Sequence, residues 1–225
     1  MARLILPLVF GVAGVAVLMS LGFWQLSRLE EKQAVIAEIA ARIGDDPVAL
    51  PQAPEPEDDR YLPVRAEGRY TGDVAHVLSS QREQGAGSRV IAVFETRAGR
   101  RVLVDRGFMP DAARPGADFG SDPLAVTGNL HWPRDATSST PEPDLERGLW
   151  FSREVAPLAR NLETEPLMIV AREDGASVPG LTTMPVTTID IRNDHLEYAI
   201  TWFLLALVWA GMTGFLLWRI RRGTA

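Results

Sequence analysis

Residues 193–202, NDHLEYAITW, set one imidazole, His195, at the head of an apolar run, with the Tyr198 phenol and the Trp202 indole shortly after it. A neutral imidazole offers one electron pair to a metal and one N–H to an acceptor. On a helix at about 100° per residue, His195, Ala199, Trp202, Ala206, Trp209 and Thr213 fall on one stripe, with Tyr198 at its edge. Large rings alternate there with small side chains, a surface suited to a flat ligand or a neighbouring helix. The same residues also read as an interfacial aromatic belt in which His195 is merely solvated. Trp24, Gln25 and Arg28 close the other long apolar run. The two remaining histidines, His76 in VAHVL and His131 in NLHW, lie in strand-like stretches and read as structural, with no role assigned to either. No H-E-x-x-H, G-x-S-x-G or P-loop spacing occurs, and the acids at 55–59 lack EF-hand spacing. Cysteine is absent, which removes thiolate ligands, disulfides and a thiol nucleophile. The chain therefore reads as not an enzyme.

Two apolar runs must position these groups. Residues 4–26 are uncharged and as a helix would reach about 34 Å, enough for a hydrocarbon core of about 30 Å. Residues 199–218 form a second uncharged run. The first exceeds the apolar core of a cleaved leader and reads as a retained span. Arg3, Arg219, Arg221 and Arg222 lie outside the runs, which leaves 19 of the 23 basic residues between them against all 29 acidic ones, a net of minus 10. The basic C-terminal tail puts both termini in the cytoplasm, or the matrix of a mitochondrion, and the central part in the periplasm or intermembrane space; a bacterial inner membrane is the expected setting. Trp24, Gln25 and Arg28 then share one membrane surface with His195, Tyr198 and Trp202. An imidazole there could ligate haem iron, and an arginine could pair with a propionate. The arginines are scattered and outnumbered by acids, so no nucleic acid is expected as partner.

The sequence divides as follows. Residues 1–26 read as the first transmembrane helix. Leu26, Leu29, Gln33, Ile36, Ala40 and Ile43 recur at helical spacing, so an amphipathic extension is expected over 27–44, stopped at Gly44 and Pro47. Residues 45–60 are a proline- and acid-rich linker with little regular structure expected. Residues 61–192 read as the extramembrane domain, residues 193–218 as the second transmembrane helix with its motif at the outer edge, and 219–225 as a basic cytoplasmic tail. Within the domain, strands are expected in YLPVRAEGRY, DVAHVLSS, RVIAVFET, RVLVDRG, LAVTGNLHW, GLWFS, PLMIVA and PVTTIDI, with a hairpin at ETRAGRRV and one helix over 152–163 capped by Ser152. The fold class is membrane-anchored α+β: two transmembrane helices flanking a small antiparallel β-barrel-like outer domain.

Four motifs carry a resemblance. Leu21, Gly22, Trp24, Gln25, Arg28 and Lys32 match the pattern L-G-x-W-Q-x-x-R-x-x-x-K; Tyr61, Pro63, Val64 and Gly68 match a tyrosine-proline-valine stretch leading to glycine. LVDRGFMP at 103–110 is similar to LVNRGWVP, and Asn193, His195, Leu196, Tyr198, Ala199, Thr201 and Trp202 match N-x-H-L-x-Y-A-x-T-W. In this the chain resembles the Surfeit locus protein 1 family from end to end. It departs at Asp105, Phe108 and Met109, where the family usually has asparagine, tryptophan and valine, and in AGSRVIAVF, which lacks the family's glycine-tyrosine. The resemblance implies an assembly factor for haem-copper cytochrome c oxidase. It implies transient binding of haem a with His195 as iron ligand, and as partners oxidase subunit I, the haem a synthesis machinery and the membrane. The topology adds Trp24 and Trp202 as walls of the site and Arg28 as the propionate partner, with Tyr198 among the cofactor-binding residues. A scaffold that stabilises a subunit I intermediate without haem stands as the alternative.

Overall fold

The computed structural model describes residues 2–188 and 191–222. One helix, α1, runs from Ala2 to Gly44 without a break, and a second long helix, α3, from His195 to Arg222. Pro7 sits in α1 near its start. The helix ends at Gly44, the residue with least to gain from staying helical, directly ahead of the acidic pair Asp45 and Asp46 and three positions ahead of Pro47. Both helices are long and apolar enough to cross a membrane. Their apolar side chains face outward: Leu6 is 77% exposed and Leu207 70%. So much exposed hydrocarbon is stable only where lipid or another protein replaces water.

The described residues form two compact units. One is helical and takes α1 up to Glu38 together with α3; the other, Ile39–Thr187, is built on a sheet. Its strands are β1 (Val48–Ala49), β2 (Pro63–Gln81), β3 (Gly85–Thr96), β4 (Arg101–Pro110), β5 (Leu124–Leu130), β6 (Leu149–Trp150) and β7 (Met168–Asp174). The pairings run in a closed circuit, β2 to β3, β4, β7, β5 and back to β2. The two first strands expected from the sequence are one strand, bent at a bulge between Tyr70 and Val74 where Gly72 holds φ at +93°. That backbone conformation is costly for any residue with a Cβ.

The sheet is mixed, which corrects the expected antiparallel one. β1 and β6 lie parallel to β2, and β4 lies parallel to β7. The physical reason is connection length: β4 and β7 are separated by β5, β6 and a helix, chain enough for a crossover, whereas β3 and β4 are joined by the tight hairpin at Gly99 and must run antiparallel. β1 falls in the proline-rich linker, where no strand was expected. Over 185–188, where PVTTIDI suggested a strand, none forms, and Ile189 and Asp190 lie outside the described residues.

The short helix α2 spans Val155–Leu162 and starts later than expected, capped by Glu154 backbone geometry rather than by Ser152. Pro157 fits because it occupies the first turn, whose N–H groups have no partner within the helix. Val155, Leu158 and Ala159 turn inward. They join Val64, Phe94, Leu103, Val104 and Ile169 in the main core, where each large side chain contributes roughly 1.5–3 kcal/mol.

Candidate functional site

α1 and α3 lie antiparallel, and glycines on α1 let them approach closely. A Cβ on Gly11 would run into Thr213, one on Gly14 into the Trp209 indole, and one on Gly22 into the Phe203 ring. Trp209 donates its indole N–H to the Gly11 carbonyl at 3.1 Å, and Phe23 meets Phe203 edge-on at 5.4 Å. The stripe from His195 to Thr213 is the face that α3 turns toward α1. Ala199 and Ala206 are buried on it, and His195, Trp202, Trp209 and Thr213 half-buried. Of the two uses open to that stripe, a flat ligand or a neighbouring helix, the helix has taken most of it.

The seam ends in a polar contact. His195 Nδ1 lies 2.7 Å from Gln25 Oε1. Gln25 is only 9% exposed, the one buried polar side chain of the helical unit among the described residues. An amide oxygen only accepts, so His195 Nδ1 is the donor. Among the described residues nothing bonds to Nε2, which leaves its electron pair open. The sequence placed Gln25 near this edge without giving it a part in the site; its signal was an amide at the end of an otherwise apolar run.

Helical geometry locates the other groups. With Gln25 and His195 as facing points of two antiparallel right-handed helices, steps of about 100° place Trp24 and Arg28 of α1 and Tyr198 of α3 on one side of the pair. Trp24 is 51% exposed and Tyr198 56%. Arg28 lies over Trp24, its guanidinium carbon 5.8 Å from the ring centroid, and pairs with Glu31 at 2.6 Å. That pair is exposed, worth about 0–1 kcal/mol, and exchanges readily for another carboxylate. Trp202 is held in the seam between the helices rather than on the open side. Arg192 and Asp194 pair at 2.7 Å at the approach to α3.

The sheet unit holds a different kind of polar centre, which the sequence did not reveal. In LVDRGFMP, Asp105 is fully buried and accepts from Arg89 at 2.8 Å, with Arg153 3.6 Å away. Arg106, its neighbour on the opposite face of β4, is also fully buried. It donates to Asp174 at 2.6 Å and to the Phe119 carbonyl at 3.1 Å, and stacks on Tyr70 with 3.9 Å to the ring centroid. Gly107 holds φ at +112°, and a Cβ there would meet the Thr182 carbonyl. The motif is a packing node: both charges are spent on internal partners. His76 bonds Ser88 Oγ at 3.1 Å, and burial, then Arg114, lowers its pKa. His131 is half-buried against Tyr61. Neither adjoins a cluster of metal-ligating side chains among the described residues.

The SURF1 family model matches residues 12–207, from within α1 to well inside α3. The chain belongs to the SURF1 family. Surfeit locus protein 1 of Homo sapiens is 30% identical to this SURF1 family member over 210 residues, covering 83% of the chain and 69% of the human protein. The SURF1-like protein of Rickettsia felis is 29% identical over 206 residues, covering 85% and 88%. Surfeit locus protein 1 of Rattus norvegicus is 28% identical over 206 residues, and the chain spans about two thirds of its length, 66%.

Proposed function

We propose that this SURF1 family member is an assembly factor for haem-copper cytochrome c oxidase. It binds haem a as cargo at the outer edge of a bacterial inner membrane and assists its insertion into oxidase subunit I. The observation that carries the reading is the His195–Gln25 contact at one end of the helix pair, with Nε2 left open. An imidazole is one of the side chains by which proteins hold haem iron. Exposed Trp24 and Tyr198 supply apolar and aromatic walls on one side of the pair, and Arg28 supplies a cation for a propionate. The arginine-rich C-terminal turn of α3 falls at the opposite end of that helix from His195, which fits cytoplasmic termini and a periplasmic sheet unit. Haem a synthesis enzymes and subunit I are the partners this reading requires.

The experiment is an optical spectrum of the detergent-purified protein co-expressed with the haem a biosynthetic enzymes, for wild type and His195→Ala. A haem a spectrum is expected in the wild type and lost from a folded variant. Colour in neither would leave the scaffold reading, which has its own support: the aromatic stripe of α3 is largely consumed by packing on α1, and the outward faces of both helices remain open to a partner's helices.

A further inference from the structure

We infer that Gln25 is the positioning residue of this site: its amide oxygen fixes His195 as the Nδ1–H tautomer, and its neutrality keeps Nε2 a ligand of moderate strength. A histidine free in water favours neither ring nitrogen strongly, and a ring that can rotate presents either one. Here the ring is held from one side. Gly22 and Ala199 bring the helices close enough for a 2.7 Å contact, and Gln25 is too buried to turn to solvent. Left without a donor, its oxygen would be a buried acceptor with its desolvation uncompensated. The acceptor can only be met by N–H, so the hydrogen sits on Nδ1 and the electron pair on Nε2 points away from α1.

The chemical identity of the acceptor matters as much as its place. Ligating histidines commonly donate their second N–H to a carboxylate or a carbonyl, and the partner sets both orientation and basicity. A carboxylate pulls the proton and makes Nε2 a stronger donor to iron. A neutral amide orients the ring with little such pull, and ligation stays weak enough to reverse. A protein that holds its cargo only to pass it on is served by the amide. This rests on the haem reading above for the identity of the ligand, while the tautomer assignment stands on geometry alone.

The test separates the two. Protein labelled with ¹⁵N-histidine in detergent, with His195→Ala to assign the signals, should show a protonated Nδ1 and a bare Nε2 for His195 in the wild type. Gln25→Leu, which keeps the volume and removes the acceptor, should lose that pattern, and Gln25→Glu should restore it. With haem a loaded, Gln25→Glu should release haem to apomyoglobin about 10- to 100-fold more slowly, and Gln25→Leu should bind it more weakly by a similar factor. A wild-type His195 protonated at Nε2, or an unchanged pattern in a folded Gln25→Leu, would overturn the inference. So would release rates that do not respond to Gln25→Glu in a haem-loaded protein. Absence of haem from every preparation, with the Nδ1–H pattern intact, would sink the haem reading and leave the tautomer assignment standing.

Discussion

His131 stacks on Tyr61 at 5.4 Å, and its buried Nδ1 has no hydrogen-bond partner among the described residues. Burial, then the Arg153 and Arg60 guanidinium groups, push its pKa down to about 4 from the usual 6.5. Above about pH 6.5 the ring is neutral in both the folded and unfolded chain and stability does not depend on it. As pH falls from about 6.5 to about 4 the unfolded chain takes up a proton that the fold resists, and stability declines by on the order of 2–3 kcal/mol. Urea unfolding of wild type and His131→Phe between pH 7.5 and 4.5 checks this: the variant should show the shallower pH dependence, and parallel curves would assign the acid sensitivity elsewhere. At this scale little was legible in the sequence. His195 stood out because an imidazole beside a long apolar run is unusual. Asp105 and Arg106 did not, because the residues that neutralise them, Arg89, Arg153 and Asp174, come from distant parts of the chain and no local pattern announces them. The Asp105 departure from asparagine finds its account here: a full negative charge sits between two arginines.

Elements were more readable, since their signals are periodic. The helical spacing through Ile43 and the stop at Gly44 are local chemistry, and the helix ends there. Strand pairing was not readable in the same way. Nothing in Met168–Asp174 says that it will lie parallel to Arg101–Pro110, because direction is set by the length and path of the intervening chain. The alternation of rings and small residues on α3 had two readings, and the glycines of α1 decide between them by leaving room for Phe203, Trp209 and Thr213. Replacing Gly22 by leucine should therefore overpack the seam, at about 1–3 kcal/mol, and part the helices at the level of the His195 contact. The chain has no cysteine, so a Gly11→Cys/Thr213→Cys pair reports on the seam without background. Oxidative cross-linking should be efficient in that pair and weaker when Gly22→Leu is added. Equal yields would mean that α3 does not bear on α1 at Gly22.

For the whole molecule, the distribution of charge predicts which side each part occupies. A cysteine placed at the exposed Ser139 of the sheet unit should react with a membrane-impermeant maleimide in intact spheroplasts, and one at Thr224 only after lysis. The reverse pattern would invert the topology and with it the compartment of His195. The closed run of pairings in the sheet unit has a further bearing on how such a molecule meets others. Each of the five strands of the circuit has a hydrogen-bonded neighbour on both sides over part of its length, and the short β1 and β6 cover some of the lengths of β2 that the circuit leaves bare. A sheet with an open border invites a foreign segment to lie down as one more strand, whether a client in the course of assembly or an aggregating neighbour. Among the described residues no long strand of this unit is free along a whole side; only the two-residue β1 and β6 pair with another strand on one side alone. Such a unit presents its surroundings mainly with side chains on loops and faces, a surface read by shape and charge and released without unzipping a backbone ladder.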